Sequence, residues 1–153
     1  MKKLLSFYFL WLCCLFACNK EEADINPQSE QQKTANLLNG VWILEEVEQK
    51  PTHISMDQLQ GFALEFRLNA ELSGGVFRAR NTAGLFGTEG VWSFTSGSAS
   101  AIDLLSHSGT VGTMRINKVA EKSLSLSFTT PSEPLNARQL GIDGDFRLLL
   151  SRE

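Results

Sequence analysis

Beyond Cys18 the chain has no cysteine, since Cys13, Cys14 and Cys18 are its only three. The segment after Cys18 can therefore form neither a disulfide nor a thiolate metal site, and its stability has to come from burial. Histidine is almost as scarce: His53 and His107 stand far apart, and neither lies at metal-ligand spacing from another histidine or cysteine. Asp143-Gly144-Asp145 offers some oxygens but falls far short of a calcium loop, and reads as a turn. Ser96-Gly97-Ser98-Ala99-Ser100 lacks the spacing of a nucleophile elbow. Glu45, Glu46 and Glu48 are close only in sequence, and adjacent strand residues point to opposite faces. The expectation is a protein with no catalytic set, no metal and no cofactor. Basic runs are also missing. Without Lys2 and Lys3 the balance is 12 basic against 17 acidic residues, which argues against a nucleic-acid surface. No run after the first 18 residues approaches the roughly 18 apolar residues that a membrane-spanning helix needs.

What is present begins with an address. Met1-Lys2-Lys3 is a short basic start, Leu4 to Phe16 is almost wholly apolar, and polarity returns abruptly at Asn19-Lys20-Glu21-Glu22. Positive charge, about a dozen apolar residues and then a small residue is the layout of a secretory signal. Of the three cysteines, only Cys18 both follows a small residue, Ala17, and ends the apolar run. Leu15-Phe16-Ala17-Cys18 resembles the bacterial lipobox, with Phe16 larger than the residue usual at that place. The resemblance implies cleavage before Cys18 and diacylglycerol on its thiol, and two or three acyl chains give stable anchoring to a membrane. Lys20-Glu21-Glu22 resembles the short acidic export signal of surface lipoproteins in the Bacteroidota. The expected location is the outer membrane, lipid-anchored and displayed at the cell surface, with its periplasmic face as the second choice.

The organisation expected is a signal peptide over 1–17, a lipidated cysteine and flexible linker over 18–35, and one domain over 36–153. The linker is polar, contains Pro27 and shows no apolar period. Ser29-x-x-Gln32 fits a capping box, so a short helical turn ahead of Leu37-Leu38 is an alternative to a frayed linker end.

After Leu38 the pattern changes to short runs of alternating residues. The spacing predicts strands over 41–48, 62–68, 75–80, 90–95, 101–105, 111–119, 123–129 and 146–151. The clearest are Phe62, Leu64, Phe66 and Leu68 against Ala63, Glu65 and Arg67, and Leu124, Leu126 and Phe128 against serines. The first is irregular: Trp42 and Leu44 share one face, while Val41, Ile43 and Val47 share the other. Ser73-Gly74-Gly75, Ser96-Gly97-Ser98 and Ser108-Gly109 supply hairpin turns. Ser55-Met56-Asp57-Gln58 can cap a helical turn inside the first long loop. Arg80 to Glu89 is a glycine-rich polar loop, and Thr130 to Asp143 is the longest irregular stretch. The fold class expected is all-β, a small eight-stranded antiparallel barrel, a size at which side chains fill the interior or enclose one small ligand.

The stretch Leu38-Asn39-Gly40-Val41-Trp42, its repeat at Gly90-Val91-Trp92, the run Met114 to Val119 leading to Ser123-Leu124-Ser125-Leu126, and the closing Phe146 to Arg152 together resemble the lipocalin-like domains of Bacteroidota lipoproteins. The resemblance covers about residues 37–153 and lacks the Thr-Asp-Tyr turn of full lipocalins. It implies that Gly40 and Trp42 open the barrel and that Arg152 or Arg147 covers the Trp42 ring, a structural role. Phe62, Phe66, Phe77, Trp92, Phe94, Met114 and Phe128 are candidates to line an apolar pocket, against the plainer reading that they fill the core. The function expected is binding of a small apolar or amphipathic molecule. The alternative is a protein-interaction module, such as a hydrolase inhibitor or an accessory subunit of an outer-membrane complex. An open cavity beneath Phe62, Phe66 and Phe128 would favour the carrier. A filled barrel with a protruding loop at 80–89 or 130–143 would favour the module.

Overall fold

The computed structural model describes residues 27–50, 55–107, 111–130 and 144–153. The signal peptide, Cys18, the start of the linker, His53 and nearly all of the last long loop lie outside the described residues.

Eight strands form a closed antiparallel barrel in sequence order. They are β1 (Gly40–Lys50), β2 (Ala63–Leu68), β3 (Gly74–Arg80), β4 (Glu89–Phe94), β5 (Ala101–Ser106), β6 (Val111–Val119), β7 (Ser123–Thr130) and β8 (Gly144–Arg152). Closure is made by β1, which pairs with β2 through Gly40–Ile43 and with β8 from Trp42 to Lys50. Closure gives every strand a neighbour on both sides, so no strand is a free edge over its whole length. The inward residues follow the alternation. Leu64, Phe66, Phe77, Ala79, Trp92, Ile102, Leu104, Met114, Leu124, Leu126, Phe146, Leu148 and Leu150 are all buried in one cluster. Burying one large apolar side chain contributes about 1.5–3 kcal/mol, which is how a barrel without cysteine holds together.

Two strands depart from strict alternation, each through a bulge. In β1 the register to β8 shifts between Leu44 and Glu46. Glu45 and Glu46 both face solvent, and Val47 then joins Trp42 and Leu44 against the core rather than lying with Val41 and Ile43 as expected. An extra residue in one strand reverses the side on which all later residues fall. In β6 the register to β7 shifts between Ile116 and Lys118, so Asn117 and Lys118 are both exposed and Val119 returns to the core.

Other boundaries differ from expectation. Phe62 precedes β2: its N–H bonds the Leu59 carbonyl, closing a 3-10 turn over Met56–Leu59. This turn is the helical piece expected after Ser55, and Gln58 Oε1 accepts the Ser55 N–H at 2.9 Å. Thr95 lies beyond β4. The second half of the supposed linker is α1 (Pro27–Leu38). Ser29 is inside this helix, so the capping box expected there does not start it. Proline suits a first turn, where its missing N–H costs nothing, and Glu30 there suits the helix dipole. Gln31, Ala35 and Leu38 recur at helical spacing on the side facing the barrel: Ala35 and Leu38 are fully buried, and Gln31 Nε2 donates to the Ser98 carbonyl at 2.9 Å.

Candidate functional site

The barrel has two unlike ends. One carries α1, the start of β1, the end of β8 and the short turns after β2, β4 and β6. The other carries the β1–β2 and β3–β4 loops and the beginnings of β6 and β8.

At the first end, Gly40 and Trp42 take the positions expected of them. The indole Nε1 of Trp42 donates to the Leu38 carbonyl at 2.7 Å, which ties the ring to the last residue of α1. The Arg152 guanidinium lies 4.7 Å from the Trp42 ring centroid and donates to the Leu37 carbonyl. Gly40 has φ +143°, and a Cβ there would stand 3.3 Å from Arg152 Nη1. The Gly-x-Trp spacing therefore has a local cause. Only glycine both adopts that backbone and leaves room for the arginine that covers the ring two residues on. Arg152 rather than Arg147 makes the contact; Arg147 is on the outer face, with Nη1 3.6 Å from Glu48 and Nε donating to Ser125. This end is sealed.

Gly90-Val91-Trp92 repeats the spacing for another reason. A Cβ on Gly90 would come within 2.1 Å of the Leu105 carbonyl, so this glycine permits close strand approach. The Trp92 ring is buried edge-on against Phe66 at 5.6 Å and against Phe94 at 5.6 Å, and its Nε1 has no hydrogen-bond partner among the described residues. Phe66, Trp92 and Phe94 thus form one packed aromatic group on the sealed side.

The remaining candidates lie toward the other end. Phe77, Met114 and Phe128, with Leu85, Phe86, Gly87, Leu104, Ser106, Gly112, Thr113 and Thr130, line a cavity of about 70 Å³. Phe62 is not in its lining but packs edge-on against Phe86, with ring centroids 6.1 Å apart. Phe86 in turn is edge-on to Phe128 at 5.7 Å, and Phe128 stacks on Phe146 at 5.3 Å and 10°. An unbroken row of four rings, Phe62–Phe86–Phe128–Phe146, runs across this end.

Leu85 and Phe86 escape sequence reasoning because they sit in a loop read as glycine-rich and polar. In fact that loop turns inward. Leu85 is buried within the core cluster, and Phe86 is half-buried and packs against it. The Leu85 N–H bonds the Thr82 carbonyl at 2.9 Å, and Thr82 Oγ1 donates to the Phe86 carbonyl at 3.2 Å. Asn81 Nδ2 donates to the Gln60 carbonyl at 2.9 Å, joining the two loops. Asn81 and Ala83 hold left-handed conformations, φ +53° and +49°, as does Gly84 at +83°. For a residue with a Cβ that conformation costs roughly 1–2 kcal/mol. A pair of large apolar residues between two glycines, Gly84-Leu85-Phe86-Gly87, was the available sign.

Below these loops one seam of the barrel parts. The pairing of β6 with β7 runs from Val119–Leu124 to Arg115–Ser127. Beyond that point, among the described residues, β6 pairs with β5 (Met114 with Ile102, Gly112 with Leu104) and β7 with β8 (Phe128 with Phe146, Thr130 with Gly144). An outer groove of about 580 Å³ lies there, lined by Ala101, Thr113, Arg115, Asn117, Ser127 and Thr129, with Asp145 and the Phe128–Phe146 pair. The β1–β2 pairing ends at Ile43–Ala63, with one further bond from the Leu44 N–H to the Phe62 carbonyl at 3.3 Å, and the 3-10 turn lies close by with Leu59 buried.

Of the other polar residues weighed, His107 is exposed with Nδ1 3.7 Å from Glu89 Oε1. Glu45 accepts a hydrogen bond from Ser151 on the outer surface. Ser98 and Ser100 share a hydrogen bond at 3.0 Å within their turn.

Comparison with protein-family models gave no match, and neither did a search of the curated proteins.

Proposed function

We propose that this protein is a non-enzymatic, lipid-anchored binding protein of the cell envelope, built on a lipocalin-like barrel, that takes a slim apolar or amphipathic ligand at the barrel mouth. The anchor is Cys18 and the location is the outer membrane, with surface display as the first reading; both rest on the signal sequence. The lipocalin-like assignment is supported by the closed eight-strand order, by a helix at the start of β1, and by Arg152 over Trp42 beside Gly40.

The observation that carries ligand binding is the mouth itself. One end is sealed by α1, while the other holds an apolar cavity closed by a loop residue, Phe86. At about 70 Å³ the cavity is far below the roughly 300–1,000 Å³ of a typical ligand site. Binding therefore requires the Phe86 ring to leave its place between Phe62 and Phe128. The loop is suited to this, because Ala83 already holds a left-handed backbone and Phe86 is only half-buried. A ligand would replace one aromatic ring by another apolar group between the same neighbours.

Titration of the full chain with a hydrophobic dye, following tryptophan emission, tests the reading. Saturable binding that tightens in Phe86→Ala supports it. A barrel that ignores the dye in both forms would turn the search to protein partners. For those, the observation that matters is an outer row of Val76, Val91 and Leu105. They are cross-strand neighbours on β3, β4 and β5, and each is 47% exposed. Such a row fits the alternative of an interaction module, an inhibitor or an accessory subunit.

A further inference from the structure

The groove at the parted β6–β7 seam adjoins the mouth cavity. Thr113 and Phe128 line both spaces, so the outer groove and the inner cavity meet at these two residues. From outside inward the lining changes from polar (Arg115, Asn117, Ser127, Thr129) to aromatic (Phe128, Phe146) to the apolar cavity beside Phe86, Phe77 and Met114. That gradient is matched by a molecule with one polar end and one apolar chain.

The polar end can be specified further. The groove's hydroxyl protons are engaged: Thr113 Oγ1 donates to Asp103 at 2.6 Å, Thr129 Oγ1 to Asp145 at 2.7 Å, and Ser127 Oγ to Asn117 Oδ1 at 3.2 Å. Asp145, the one carboxylate among the lining residues, accepts from Thr129, and Lys50 of β1 is its partner in the β1–β8 register. Among the described residues no ion pair or hydrogen bond engages the Arg115 side chain, which is exposed on the groove wall. Arg115 thus presents a guanidinium whose planar fork of donors fits a carboxylate in two parallel hydrogen bonds.

We propose that the β6–β7 seam is a lateral passage and head-group site: a single-chain carboxylate amphiphile lies with its carboxylate on Arg115 and its chain over Phe128 into the mouth. This rests on the ligand-binding reading above and adds the ligand's head-group chemistry and its route.

Decanoate and decanol, alike in chain and different in head group, separate the two layers. Each is titrated into the full chain and into Arg115→Gln, with circular dichroism confirming the fold. Arg115 is exposed, so its replacement leaves the core untouched. The expected result is tighter binding of decanoate, lost by about three- to tenfold in Arg115→Gln while decanol is unchanged, with the preference fading as salt is added. Arg115→Lys should keep part of the preference, since it retains charge without the fork. If both ligands bind and Arg115→Gln shifts them equally or not at all, the head-group site is overturned and the carrier reading stands. If neither ligand nor the dye binds the wild-type chain, the carrier reading falls and takes this site with it.

Discussion

The two ends of the barrel are built from similar materials and do opposite things. At the sealed end the ring beneath α1, Trp42, is held by groups that are not aromatic, while Phe66, Trp92 and Phe94 pack on one another beside it. Trp42 is bonded to the Leu38 carbonyl and covered by Arg152, which itself bonds the Leu37 carbonyl. At the mouth Phe62, Phe86, Phe128 and Phe146 meet edge-on or stacked beside a small void, held by apolar packing alone. A hydrogen-bonded ring has one place to be, whereas a ring packed on other rings can be exchanged for an apolar group of similar size. The difference separates a structural lock from a replaceable plug.

Breaking the lock should have the largest effect. Trp42→Ala removes a fully buried indole together with its hydrogen bond and cation–π contact. We expect a loss of about 3–5 kcal/mol in urea unfolding. Dye affinity per folded molecule should be unaltered, because the mouth lies at the other end. A smaller break at the same place is Gly40→Ala, which forces a side chain into a φ of +143° and crowds Arg152. Its expected cost is roughly 1–3 kcal/mol, and a midpoint equal to wild type would show that the motif's glycine is dispensable. Phe86→Ala at the mouth should cost less than about 2 kcal/mol, since the ring is half-buried and its loop is strained. It should tighten dye binding at the same time. A loss as large as that of Trp42→Ala would mean that Phe86 is core and that the two ends do not differ. The smallest effect is expected from Val91→Thr on the outer row, within about 0.5 kcal/mol in thermal or urea unfolding. This substitution tests whether that row serves the barrel or something outside it.

Much of the architecture was legible because a barrel strand announces itself by period-two alternation. Leu124, Leu126 and Phe128 between serines, and Phe146, Leu148 and Leu150 between Arg147, Leu149 and Ser151, face as that alternation says. The sealed end was legible in part: Gly40-x-Trp42 marked the start of the first strand and an arginine over Trp42 was expected, but only the structure chose Arg152 over Arg147. The mouth was less so. Phe77, Met114 and Phe128 appear in its lining, but the residues that close it, Leu85 and Phe86, lie in a stretch whose glycines and polar residues suggest exposure. Phe66, Trp92 and Phe94 point inward like the others, yet none of them lines this cavity. Alternation gives the face of a residue, not its height along the barrel.

By itself, then, the sequence determined the strands, their number and the face of most strand residues, because alternation acts between residues near in sequence, and it marked Gly40 and Trp42, while the arginine on the ring comes from the far-off end of β8. Tertiary structure alone decided the two bulges, the extent of the helix and the parted seam. Nothing in Leu44-Glu45-Glu46-Val47 marks a bulge; it is the match to β8 that makes Glu45 and Glu46 both face water. A helix of 12 residues with few apolar positions is marginal in isolation. α1 persists because the barrel supplies a floor for Ala35 and Leu38, an acceptor for Gln31 in Ser98, and donors from Trp42 and Arg152 to its last carbonyls. The seam opens where β6 keeps β5 and β7 keeps β8, a division that depends on all four strands at once.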